Sequence, residues 1–394
     1  SVKSQMISDV KLGSFLSGGI DSSLVAGLMQ KNSINRIDTF TIGFDETKFD
    51  ETKYASAVSK ILNTNHNELI LNSSDIQKSL PLMPNIYDEP FSDSSQIPTF
   101  LLSKFARQKV TVCLSGDGGD ELFGGYNRYL WSQKIWKFLK YLPLPLRKIF
   151  SLIIYLTPEK IINNSEGILN KTLLKNYPLN NLSEKLSKLR NKILNAKNFK
   201  DFYVELVSEW ENVKDLLNLD IDISINNFED SLDYNFKNNT DQMMYFDLNT
   251  YLPDDILCKV DRASMNNSLE TRSPFLNSDV VNLAFNIPLE FKINNSKTKW
   301  ILREILKDFI PDNLINRPKM GFSIPLASWL RGPLKEWCYD TLNLNNISSL
   351  GLNKKLVSKT LNQHMNSNND QHNKIWSLMI FTLWYQNQNS QIIK

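Results

Sequence analysis

The spacing of apolar and polar positions changes character part-way along the chain. In the first third, short apolar runs at Leu12 to Leu16, Ile37 to Phe44 and Val110 to Leu114 read as strands, with Leu69 to Leu71 as a shorter candidate. Helical patterns lie between them. One runs through Met29 and puts Leu24, Val25, Leu28 and Met29 on one face; another spans about Glu51 to Leu62. Strand, helix and strand in that order predict an α/β fold, a parallel sheet with helices on both faces. From Tyr129 onward aromatic-rich helical segments take over, broken at Leu142 to Pro145 and Asn218 to Asn239, and predict a mostly helical layer. Residues 1–130 are thus expected to form the sheet-bearing core and 131–394 the mainly helical remainder. Arg317 to Gly332, marked by glycine and proline, reads as a loop.

Composition narrows the class. The 394 residues are 41% hydrophobic and 22% charged, as in an ordinary globular protein with room for two or three cores. A net charge of +3 gives no reason to expect nucleic acid or a membrane surface as the main partner. The basic run Lys185 to Lys197 reads as a solvated helix face. Ile149 to Leu156, the longest strongly apolar stretch, is too short to span a bilayer, and no signal peptide precedes the first strand. Cys113, Cys258 and Cys338 have no paired spacing, so a reducing, cytoplasmic setting is expected. His66, His364 and His372 are too scattered for a histidine metal site, which leaves oxygen-ligated hard cations. The chain begins on Ser1 with a strand soon after, which fits a fragment or a trimmed form of a longer polypeptide.

Two glycine-rich segments follow strands, where ligands of parallel sheets bind. The first is Ser17-Gly18-Gly19-Ile20-Asp21-Ser22-Ser23. Its glycines permit close backbone approach, and the following helix N-terminus favours an anion. Asp21 would repel phosphate unless a divalent cation bridges the two, so the loop reads as a metal-pyrophosphate cradle. No lysine follows the glycines, which excludes a Walker loop. The plain alternative is a glycine-rich turn. The second segment runs from Ser115-Gly116-Asp117-Gly118-Gly119-Asp120-Glu121 to Tyr126. Three carboxylates within five positions call for cations or hydrogen-bond donors. Asp21 and Asp120, brought together from neighbouring strand ends, would supply the one or two carboxylates magnesium usually takes; a calcium-like or solvated acidic turn is the alternative.

Two later segments carry weaker signals. Asp254 to Met265 has helical spacing that places Lys259, Arg262 and Met265 near one stripe and Asp261 on another, equally readable as a surface helix with salt bridges. Arg317-Pro318-Lys319-Met320-Gly321 offers a lysine on a glycine loop, where a cation could stabilise departing pyrophosphate. A lone loop lysine is more usually solvent-facing.

The Ser-Gly-Gly-x-Asp-Ser order resembles the PP-loop of the adenine nucleotide alpha hydrolase-like family, whose members release pyrophosphate from ATP. Together the four segments resemble the synthase domain of the glutamine-hydrolysing asparagine synthetases over nearly the whole chain. That resemblance implies a ligase that joins aspartate to ATP as a β-aspartyl adenylate, releases pyrophosphate, and lets ammonia displace AMP to give asparagine. It implies ATP and Mg2+ as ligands. Ser17, Gly18, Gly19 and Ser22 would cradle pyrophosphate, Asp21 and Asp120 would bind magnesium, and Leu16, Ile42, Ser115 and Gly116 would contact the nucleotide. Lys319 matches the family's lysine beside the reacting phosphate. Asp261 and Arg262 match a segment carried as substrate-side, and Asp117 stands where many members have glutamate, a position associated with ammonia attack. In the run Asp93-Ser94-Ser95-Gln96, Ser94 and Ser95 are further candidates for holding aspartate, as are Glu121 and Tyr126.

The family's glutaminase domain, which uses an N-terminal cysteine, is not matched by any segment here. The expectation is therefore free ammonia, or nitrogen from a separate glutaminase domain or subunit, with a homodimer compatible with either. Two rival readings stay open. One is a relative that amidates or cyclises another carboxylate, such as a sugar acid or a peptide. The other is a nucleotide-binding module without catalysis.

Overall fold

Five parallel strands form one sheet: β1 (Leu12–Phe15), β2 (Asp38–Phe44), β3 (Asn65–Leu71), β4 (Val112–Leu114) and β5 (Glu270–Arg272). Their order across the sheet is β3-β2-β1-β4-β5. The computed structural model describes residues 1–46, 50–157, 161, 194, 196–210, 213–217, 236–316, 324–366 and 370–392. Among them lie the helices that position the site: α1 (Ile20–Lys31), α2 (Thr52–Leu62), α3 (Gln96–Arg107), α4 (Gly119–Phe123), α5 (Asn127–Leu139), α6 (Asn239–Asn249), α7 (Cys258–Asn266) and α8 (Trp300–Leu306).

The strand period of two sorts side chains onto two cores. On β4, Val112 and Leu114 join the core made with Leu24, Val25 and Met29 of α1, Val58 of α2 and Leu302 and Leu306 of α8. Cys113 points to the opposite core, where Phe40, Ile42 and Phe44 of β2 meet Phe100 and Ala106 of α3, Ala263 of α7 and the C-terminal residues Trp329 and Trp376. Phe40 and Trp376 are almost completely buried, and each such side chain stabilises the fold by roughly 1.5–3 kcal/mol or more. A third core of Tyr129, Phe202, Tyr203, Met243 and Phe246 holds the helical layer together.

The expected parallel α/β sheet with helices on both faces is therefore present. Two strand readings needed correction. β3 begins at Asn65 rather than Leu69, because its first four residues are polar and lie on the half-exposed sheet edge. β5 was not anticipated: Glu-Thr-Arg carries no apolar signal, yet it pairs with β4 from Val112↔Glu270 to Leu114↔Arg272 and carries the sheet beyond residue 130. The loop expected at Arg317 to Gly332 ends in a helix, Leu326–Arg331, where Leu326, Trp329 and Leu330 are buried at helical spacing; 317–323 lie outside the described residues. The break at Leu142 to Pro145 shrinks, since a helix starts at Leu144 with Pro145 in its first turn, where a missing N–H costs nothing. Most of Lys185 to Lys197 and 218–235 also lie outside the described residues. No helix among the described residues is long and apolar enough to cross a membrane.

Candidate active site

After β1 the chain proceeds to β2 and β3 on one side, and β4 returns to the other side of β1. The loops following β1 and β4 thus diverge at the carboxyl edge, the switch point where parallel sheets bind ligands. A cavity of about 550 Å³ opens there, lined by both glycine-rich segments, β2, α7 and the approach to α8.

The first loop is self-bracing. Ser22 Oγ accepts the Ser17 N–H at 3.2 Å and lies 3.0 Å from Ser17 Oγ, which in turn accepts the Gly19 N–H at 3.2 Å. Gly18 has φ +71°, and a Cβ there would fall 2.8 Å from the Tyr54 carbonyl carbon, so this position demands glycine. Asp21 sits in the first turn of α1, where its charge is favoured by the helix dipole.

The second loop leans on the first and on β5. Ser115 N–H donates to Arg272 O at 2.8 Å, and a Cβ on Gly116 would lie 2.8 Å from Asp21 Cβ. This close packing brings Asp120, in the first turn of α4, beside Asp21. Both carboxylates pair with one ammonium, that of Lys299, which lies 2.8 Å from Asp120 Oδ1 and also bonds Asp21 Oδ2. Lys299 is buried and caps α8 in a left-handed conformation, φ +55°. Burial pulls its pKa down, but Asp120 and Asp21 outweigh burial and hold it above the ordinary lysine value.

Asp21 and Asp120 therefore converge on a point already suited to a cation. Two hard oxygen donors beside a glycine-lined cradle fit magnesium, which takes one or two carboxylates and completes its shell with phosphate and water.

The opposite wall is acidic as well. Lys259 Nζ lies 2.5 Å from Asp93 Oδ2 and 3.6 Å from Asp255 Oδ1. Burial raises the Asp93 pKa, but Lys259 overrides it and takes the carboxyl down to about 2. Asp255 is pushed up to about 7 by burial and then by Asp93. Asp117 is also raised, by burial first, with a Ser115 hydrogen bond and Lys259 opposing. Glu121, buried and then repelled by Asp120, is pushed up to about 7 and accepts the Tyr126 hydroxyl at 2.5 Å. Behind Tyr126 the Arg128 guanidinium lies 4.1 Å from its ring centre and 5.1 Å from that of Tyr251. Asp247, fully buried on α6, fixes Arg128 at 2.7 Å and accepts hydroxyls from Tyr129 and Tyr203.

Leu16, Ser17, Gly18, Gly19, Asp21, Ser22, Ile42, Ser95, Ser115, Gly116, Asp117, Asp120, Glu121 and Tyr126 all line this cavity. Ser94 does not. Asp261 and Arg262 face a separate hollow with Cys258, Thr271 and Ser273, and Arg262 pairs with Asp88 at 3.5 Å. The expected stripe of Lys259, Arg262 and Met265 splits, because three residues advance a helix by about 300°, leaving each member about 60° from the last. Lys259 turns inward with Val260 and Ala263 against α3, while Arg262 and Met265 turn out. Lys319 lies outside the described residues. Lys299, Lys259 and Tyr251 were missed as site residues. Lys299 sits in Lys297-Thr298-Lys299 with no local pattern to set it apart, whereas Lys259 could have been found from Asp255 and Lys259 at i, i+4.

Comparison with known proteins bears on the whole chain. Asparagine synthetase (glutamine-hydrolysing) 1 of Bacillus subtilis is 32% identical over 387 residues, covering 98% of this chain and 57% of the relative. A Mycobacterium tuberculosis protein provisionally given the same designation is 33% identical over 391 residues, 98% of this chain and 56% of its own. A similarly designated Methanocaldococcus jannaschii protein is 37% identical over 270 residues, 67% of this chain and 47% of its own. The chain thus spans about half the length of these relatives. The family described as asparagine synthase matches residues 1–386, and with the glycine-rich segment, the parallel sheet and the paired carboxylates in place, this chain belongs to the asparagine synthase family.

Proposed function

We propose that this chain uses ATP to convert the side-chain carboxylate of aspartate into its amide. The observation that carries the reading is the convergence of Asp21 and Asp120, from two different strand ends, on one cation position beside a glycine-lined cradle. An enzyme that splits ATP between its α- and β-phosphates needs such an arrangement to hold the departing pyrophosphate. Ser17 to Ser22 would cradle the pyrophosphate, and Leu16 and Ile42 would pack along the nucleotide. Magnesium, held by Asp21 and Asp120, would offset the phosphate charge when bound. Lys299 holds those two carboxylates together beforehand and would lie beside the same phosphates.

In the first step a carboxylate oxygen attacks the α-phosphorus, the α–β bridging bond breaks, and pyrophosphate leaves. A carboxylate becomes a good electrophile only once its oxygen is such a leaving group. In the second step the nitrogen of ammonia attacks the acyl carbon, AMP departs, and one nitrogen proton must be accepted. Asp117 lies on the cavity wall, its pKa raised by burial, and would be placed to accept that proton. Glu121 and Tyr126 complete the acceptor side. The nitrogen enters as ammonia, free or released by a glutaminase, the activity named in the relatives. Three free thiols, two of them buried, suit a reducing cytoplasm.

The test is to incubate the chain with magnesium-ATP, ammonium and aspartate and to follow nucleotide products. AMP, pyrophosphate and asparagine in equal amounts are expected. ADP and phosphate would overturn the reading, and AMP formed only with another acid would move it to a different carboxylate.

A further inference from the structure

Tyr126 and Tyr251 line the cavity, whereas Arg128, which faces both rings, does not. Tyr126 closes the second glycine-rich segment and caps α5, and Tyr251 stands directly before the turn Leu252–Leu257 that leads into α7. One guanidinium therefore backs side chains that belong to two different walls.

The edge of that guanidinium is fully committed to the helical layer. Arg128 Nη2 and Nε donate to Asp247 Oδ2 at 2.7 and 3.2 Å, and Nε also donates to the Tyr203 hydroxyl oxygen at 2.9 Å. Asp247 is fully buried and accepts the hydroxyls of Tyr129 and Tyr203 at 2.5 and 2.7 Å. The flat faces are left for the rings, with Tyr126 centred 4.1 Å and Tyr251 5.1 Å away, inside the reach of a cation–π contact. The two rings meet edge to face with centroids 5.8 Å apart, and Tyr129 meets Tyr126 in the same way at 5.5 Å. Enclosed on these sides, Tyr126 donates its hydroxyl to Glu121 at 2.5 Å, a bond that a displacement of about 1 Å would break. Any cation would balance Asp247, but only a planar one can also serve as a plate for the rings.

We infer that Arg128 is a positioning residue: from outside the cavity it holds the Tyr126 ring as a fixed wall of the acceptor end and so limits the length of the acid that fits. A wall that cannot tilt makes an extra methylene costly, commonly by about 10- to 200-fold, whereas a wall free to tilt gives way. Arg128 itself meets neither acid nor nucleotide and acts through Tyr126, with Tyr251 backing the same plate. The inference rests on the adenylating reading, which puts the acceptor acid beside Glu121 and Tyr126.

The test compares kcat/KM for aspartate and for glutamate, one methylene longer, in the parent chain and in Arg128→Lys, with magnesium-ATP and ammonium. The parent should favour aspartate. Arg128→Lys keeps a cation on Asp247 but loses the planar face, and should cut that preference about tenfold. A ratio between two acids cancels the fraction of folded enzyme, so a purely structural role leaves it unmoved. An unchanged ratio, or a parent without a preference, overturns the inference. In a Tyr126→Ala background, Arg128→Lys should change the ratio by less than about twofold, and a full repeat of its effect there overturns the inference too. If Arg128→Lys does not fold, Tyr203→Phe, which removes one hydrogen bond from the guanidinium, decides: it should cut the preference about threefold, and no change overturns the inference. Where the parent forms no AMP, the proposed reaction falls, and the same ratios are read as affinities of the two acids for the chain loaded with magnesium and α,β-methylene-ATP. Turnover of aspartate with an unmoved ratio leaves the reaction standing and removes the role of Arg128. Neither binding nor turnover of either acid overturns both.

Discussion

Lys299 Nζ stands 2.8 Å from Asp120 Oδ1 while also bonding Asp21, so one lysine holds two carboxylates that would otherwise repel each other. Lys299→Met should lower stability by about 3–5 kcal/mol in a magnesium-free buffer, the usual cost of stranding buried charge. Added magnesium should restore more stability to the variant than it gives the parent. Thermal unfolding with and without a chelator reads this, and equal magnesium responses would mean that the two carboxylates do not share a cation.

Asp120→Asn keeps the size of the side chain and removes its charge. Loss of a ligand that balances charge in the transition state is expected to cut AMP formation by about 100-fold or more. Pyrophosphate exchange measures the first step alone, and retention of even a third of the parent rate would rule out Asp120 as a phosphate-side ligand.

Glu121 is raised from an ordinary 4.5 to about 7, by burial and then by Asp120. Between those values the unfolded chain has released this proton and the folded chain has not. The stability it contributes is therefore complete below about pH 4.5 and is lost as pH rises to 7. Glu121→Gln should flatten that slope by up to about 3 kcal/mol in urea unfolding over pH 5 to 7.5. Asp93 has the opposite sign: held at about 2, its contribution is present above 3.8 and disappears as pH falls through 2.

Asp247 is buried beneath Arg128 and the hydroxyls of Tyr129 and Tyr203. Asp247→Ala leaves a guanidinium and two phenols without their acceptor and should cost about 3–5 kcal/mol in denaturant unfolding, against about 1 kcal/mol for Tyr203→Phe. Similar costs for the two variants would show that the carboxylate is not the centre of the network.

The glycine-rich half of the candidate site was legible in the sequence because it is local. Ser17 to Ser22 and Ser115 to Glu121 each follow an apolar strand, and glycine marks where backbones touch. The pairing of Asp93 with Lys259 and the place of Lys299 were not, because these residues meet only through tertiary packing. Asp93 and Lys259 are 166 positions apart, and nothing near Lys299 signals burial. β5 was invisible for a related reason: a three-residue polar strand is specified by the neighbour it pairs with rather than by its own side chains. The reverse error befell Arg262, where helical spacing suggested a shared face with Lys259 that a 60° drift removes.

Lys299 meets Asp21 across 278 positions of sequence. On a ribosome adding about 5–20 residues per second, the acidic loops emerge on the order of tens of seconds before the lysine that neutralises them. During that interval the carboxyl edge of the nascent sheet carries uncompensated negative charge, which opposes its premature closure. The cavity, in its neutralised form, can come into being only after Lys299 has been made.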